Sequence, residues 1–120
     1  MVKGERGFTL VELIVAVTIF TWALLALLGA NVLVVQLLAA GDRAATASFY
    51  ARERLEALRG VSCTAMADGS ETRGNVYQLS WDLEDAHGGS ARTVELMITY
   101  PALRGNLRTD TIESSVLCLR

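Results

Sequence analysis

From Leu13 to Ala40 the chain carries no charge, and a single carboxylate, Glu12, stands at the mouth of this run. The run is about 28 residues long, ~42 Å as an α-helix against ~30 Å of bilayer hydrocarbon. A secretory signal core is shorter and ends in a small-x-small cleavage site. This run does neither, so it is expected to remain in the mature protein. It exceeds what one span requires, so some of its surface is expected to meet protein rather than lipid. A charge inside a bilayer costs about 2.5–3.5 kcal/mol on insertion scales and is usually functional, which singles out Glu12.

Lys3 and Arg6 precede the run and favour a cytoplasmic N-terminus, a signal diluted by Glu5 and opposed slightly by Arg43. Residues after about 41 are then expected outside the inner membrane. With 120 residues in all, that leaves about 80 for a single modest domain. The net charge of −2 comes without a basic run, so nothing points to nucleic acid. In an oxidising compartment the two cysteines, Cys63 and Cys118, are expected to form a disulfide; the alternative is a pair of buried thiols. Closing that loop would contribute ~4 kcal/mol in the chain-entropy model.

Periodicity predicts one helix from Phe8 to about Arg59, ~75 Å if unbroken. Its first half is apolar all round, with Asn31 and Gln36 as polar side chains and Gly29 and Gly41 as weak points. Its second half is amphipathic. Ala44, Ser48, Ala51, Leu55 and Leu58 recur at helical spacing, while Arg52, Glu53, Arg54, Glu56 and Arg59 lie elsewhere, offering Arg52–Glu56 and Glu56–Arg59 pairs. Gly60 is expected to close the helix as its C′ residue. Residues 61–74 read as a connector.

Three strands are expected after it. In the first, Tyr77, Leu79, Trp81 and Leu83 alternate with polar residues; in the second, Val94, Leu96, Ile98 and Tyr100 do so. The third, roughly Thr109–Leu119, has Ile112, Val116 and Cys118 on one face. Turn signals at His87–Ser90 and Pro101–Asn106 imply an antiparallel meander. Its apolar face needs a cover, and the second half of the helix is the only candidate. The expected fold is therefore α+β: a long N-terminal membrane helix on a small three-stranded antiparallel sheet. Its segments are 1–7 leader, 8–40 membrane half, 41–60 amphipathic half and 61–120 sheet domain.

Gly7, Phe8 and Glu12, with apolar residues between and beyond, resemble the class III signal of type IV pilins and type II secretion pseudopilins. The resemblance implies that prepilin peptidase cuts between Gly7 and Phe8 and methylates the new amine of Phe8. It implies that Glu12 guides the subunit into a growing filament. An ammonium at Phe8 needs a partner once buried among packed helices, and Glu12 can supply one within its own helix or to a neighbour, setting axial register. The plain alternative is that Glu12 snorkels to the headgroups. The helix end Ala51–Arg59 and the compact strands are similar to V-type minor pilins and I-type minor pseudopilins. Major pilins often carry a helix-kinking proline and a long disulfide-bounded C-terminal region; this chain departs from both.

The implied function is a minor subunit of a type IV pilus (fimbrium) or of the type II protein-transport pseudopilus, in its priming or tip complex. The implied partners are other pilin or pseudopilin subunits, prepilin peptidase, the inner-membrane assembly platform, and the membrane before assembly. The alternative is a bitopic inner-membrane anchor carrying a periplasmic ligand-binding module. No cofactor and no metal is expected. His87, the sole histidine, sits in a Gly-rich turn, and Asp68, Glu71, Asp82, Glu84 and Asp85 match no standard calcium-loop spacing. No nucleophile–base arrangement is visible, so no enzyme is expected.

Overall fold

The computed structural model describes residue 4 and residues 7–118. The chain divides into two compact units, Met1–Leu37 and Leu38–Arg120. Helix α1, Leu10–Arg59, begins in the first and ends in the second. It contains no proline, and its glycines, Gly29 and Gly41, cost about 1 kcal/mol each without breaking it. The helix starts at Leu10 rather than Phe8 because Thr9 acts as its cap. It ends where the N–H of Val61 donates to the carbonyl of Leu58 at 3.1 Å, tightening the last turn. Gly60 does not adopt the left-handed conformation expected of a C′ glycine.

In the second unit α1 covers one face of a four-stranded antiparallel sheet, with strands β1 (Gly69–Arg73), β2 (Tyr77–Ala86), β3 (Ala91–Pro101) and β4 (Leu107–Leu117) in that spatial order. The covered face carries Tyr77, Leu79, Trp81, Val94, Leu96, Ile98 and Tyr100, as their alternation predicts; the helix contributes Ala47, Ala51, Leu55 and Leu58. Ser48, expected in that stripe, is exposed and returns its hydroxyl to the Ala44 carbonyl at 3.0 Å. Ala47, a bare methyl, is buried instead. Glu56 takes Arg59 at 2.7 Å rather than Arg52.

The expected three strands are four. Strand β1 falls inside the segment read as a connector because its residues, Gly-Ser-Glu-Thr-Arg, bear no apolar alternation. The overlooked signal is Gly74-Asn75: both adopt positive φ, 54° and 62°, as a type I′ hairpin turn requires, and Val76 N–H closes onto Arg73 at 3.3 Å. The last strand also differs, running from Leu107 to Leu117 rather than from Thr109; the end expected at Leu119 lies outside the described residues.

Trp81 links β1 to the helix. Its indole N–H donates to the Ala67 carbonyl at 3.0 Å, and the guanidinium of Arg54 lies 3.9 Å from its ring centroid. Such a stack contributes about 0.5–2 kcal/mol. Gly69 is paired directly across from Trp81, and a Cβ there would stand 2.5 Å from indole Cζ2. Beside it, Arg73 pairs with Glu53 of the helix at 3.1 Å and with Glu71 at 3.3 Å. Cys63 and Cys118 form the expected disulfide, Cα atoms 5.7 Å apart, joining the helix exit to the end of β4.

At the other end of the core the Tyr100 hydroxyl donates to Asp110 at 2.7 Å, and Arg108 Nε donates to the same carboxylate at 2.9 Å. These two hydrogen bonds, Tyr100's first, hold Asp110 below the ordinary carboxylate range. Burial and then the Asp110 bond push the Tyr100 phenol up.

Two outcomes follow. Gly69→Ala should cost about 1–3 kcal/mol in denaturant unfolding followed by tryptophan emission, because the indole must move. Tyr100→Phe should raise the Asp110 pKa in a carboxyl-carbon NMR titration. In the wild-type protein the Asp110 contribution is present above the ordinary carboxylate pKa and is lost as pH falls through its depressed folded value. The Tyr100 contribution is present below the ordinary phenol pKa and is lost as pH rises through its elevated one.

Candidate functional site at the first turn of the helix

Gly7, Phe8 and Thr9 precede α1 in extended or irregular backbone and are exposed. The Thr9 side chain then starts the helix: its Oγ1 accepts the N–H of Glu12 at 3.2 Å, and its carbonyl accepts the N–H of Leu13 at 3.2 Å. Thr9 is thus the N-cap and Glu12 is residue N3, the spacing of a capping box. The Glu12 carboxylate lies in the first turn, where the helix dipole favours negative charge. The Thr-x-x-Glu spacing of Thr9 and Glu12 is the sequence signal for this helix start.

Gly7 has a different character. An added Cβ there meets no atom within 4 Å, and its φ is not in the left-handed region. Among the described residues nothing packs against Gly7.

Beyond Glu12 the first unit offers one continuous apolar surface. Phe8 is 87% exposed, and Leu13, Ile14, Val17, Phe20, Trp22, Leu27 and Leu33 are all more than half exposed. The helix is long and apolar enough to cross a membrane. Thr18 and Thr21 return their hydroxyls to the carbonyls of Ile14 and Val17 at 2.7 and 2.8 Å, which satisfies them in an apolar medium.

The remaining sequence candidates are dispersed. His87 lies exposed in the β2–β3 turn. Asp68 accepts the backbone N–H of Leu83 at 2.8 Å, Glu71 faces Arg54 and Arg73, and Asp85 pairs with Arg92 at 3.0 Å. Asp82 and Glu84 are exposed on the sheet's outer face. Among the described residues no three His, Cys, Asp or Glu side chains come close enough to hold a metal ion.

Comparison with known proteins bears on this turn. The family model of the prokaryotic N-terminal methylation motif matches residues 2–28. This is the class III signal, consistent with a type IV pilin-like protein, and the long apolar helix packed on an antiparallel sheet is a pilin-like arrangement. No curated protein and no solved structure matches the chain.

Thr9→Ala should destabilise the start of α1 by about 0.5–2 kcal/mol. Amide exchange in detergent micelles should read this as faster exchange at Leu10–Leu13, with Leu55 and Leu58 unchanged.

Proposed function

We propose that the chain is a minor pilin or pseudopilin: prepilin peptidase cleaves it between Gly7 and Phe8, methylates Phe8, and the product enters a type IV pilus or type II secretion pseudopilus. The observation that carries this reading is the first turn itself. Gly7 stands before an exposed phenylalanine and a capped helix with Glu12 in its first turn. The matched methylation motif covers the same residues.

Each part then has a task. Segment 1–7 is removed as a leader. Segment 8–40 holds the subunit in the inner membrane with its N-terminus cytoplasmic, and later packs among neighbouring subunits' helices. Segment 41–60 covers the sheet domain, 61–120, on the periplasmic side. The new amine of Phe8 carries a positive charge that is costly to bury unpaired, and Glu12 is the carboxylate available to it. Pairing between neighbours fixes axial register. The small sheet domain, closed by Cys63–Cys118, supports a minor subunit acting in the priming or tip complex on the assembly platform.

Intact mass after co-expression with prepilin peptidase tests the reading. The expected product begins at Phe8 and carries one added methyl group; a chain still beginning at Met1 would overturn it. Glu12→Ala should be cleaved normally yet drop at least ten-fold in recovery from sheared filaments.

A further inference from the structure

Strand β4 is the outer edge of the sheet. Among the described residues it pairs with β3 alone, through eleven register positions from Ala91↔Leu117 to Pro101↔Leu107 without a bulge. Its free side therefore presents an uninterrupted row of alternate backbone N–H and C=O groups. Soluble proteins usually blunt such an edge with lysine, proline, bulges or shortness. β1, the other edge, is only five residues long. β4 has no lysine, no proline and no bulge, and its covered-side charges, Arg108 and Asp110, are engaged with each other at 2.9 Å.

The outer face adds a chemical preference. Asp82, Glu95 and Glu113 are directly opposite one another on β2, β3 and β4, with Glu84 beside them around a shallow hollow. Like charges across a sheet are destabilising. No ion pair answers any of the four among the described residues. The row ends on the open edge, so the next position in it belongs to whatever strand pairs with β4. The edge also ends in exposed leucines on that face: Leu107 is 73% and Leu117 76% exposed.

We propose that β4 accepts an antiparallel strand from a different protein chain, one with arginine or lysine opposite Glu113 and apolar residues opposite Leu107 and Leu117. The spacing is set by the strand: an apolar residue four before the basic one and another six after it, matching the separations of Leu117 and Leu107 from Glu113. Main-chain hydrogen bonds supply affinity and the alternate side chains supply choice.

A second copy of this chain does not meet the requirement. In any β4–β4 antiparallel register that keeps the faces matched, Glu113 meets Leu107, Thr109, Thr111, Glu113, Ser115 or Leu117, none of them basic. On β1 the covered-side positions are Gly69, Glu71 and Arg73, opposite Trp81, Leu79 and Tyr77; the outer positions, Ser70 and Thr72, are uncharged. The proposal stands on the sheet alone and does not depend on the filament reading.

The test uses full-length protein in detergent micelles and two labelled Thr/Ser-rich strand peptides, identical except for arginine or glutamate at the central position, with valine and leucine at the two apolar positions. Fluorescence anisotropy should show the arginine peptide binding about ten-fold tighter. Alternate β4 amides should gain exchange protection on binding. Glu113→Arg, an exposed substitution that also relieves the acidic row, should reverse the preference. Leu117→Asp should weaken both peptides, with circular dichroism unchanged. Equal binding of the two peptides, no saturable binding, or no effect of Glu113→Arg would overturn the proposal. Concentration-dependent self-association abolished by Leu117→Asp would assign the edge to a second copy and overturn it as well.

Discussion

The burial of one narrow stripe of α1 against one face of the sheet holds the second unit together. The sheet has a single apolar face, and Ala47, Ala51, Leu55 and Leu58 are what cover it. The buried helix residues are small first, Ala47 and Ala51, and larger toward the helix end, Leu55 and Leu58. At roughly 25 cal/mol per Å² of apolar area removed from water, a core this small leaves little margin. That is why the polar ties around it matter. Arg54 on Trp81, Arg73 between Glu53 and Glu71, and the Cys63–Cys118 bond each join the helix or its exit to a strand.

The two halves of the helix present different surfaces. From Leu13 to Leu37 its surface is uncharged and mostly apolar, and the hydroxyls of Thr18 and Thr21 turn to their own backbone carbonyls. An α-helix satisfies its backbone within one segment, which is the requirement for lipid. Its first turn is the exception, since the leading N–H groups have no intrahelical acceptors. Thr9 answers that need locally. The carboxylate proposed to receive a subunit amine is thus already placed where the helix favours negative charge.

Much of this was legible in the residues. The apolar run, the covered faces of β2 and β3, and the pairing of Cys63 with Cys118 all follow from strong periodicity or from chemistry with few partners. β1 was not legible, because a five-residue polar strand is defined by its neighbour and not by its own pattern. Gly69 shows why: read alone it weakens a strand, yet a Cβ there would stand 2.5 Å from the Trp81 indole. Ser48 and Ala47 are equally plausible on a helical wheel, and the choice fell to which one could bury a methyl without burying a hydroxyl.

The sequence by itself determined that this chain has one membrane-length helix, a signal-like first turn around Gly7, Phe8 and Glu12, and an α+β domain with alternating strands. Those features are local, written in composition and in the 3.6- and 2-residue periods. Only the tertiary structure decided that there are four strands, that Arg54 stacks on Trp81, that Asp110 is shared by Tyr100 and Arg108, and that Asp82, Glu95 and Glu113 form one row ending at an open edge. These depend on strand register, which aligns residues far apart in the chain and is set by the sheet as a whole.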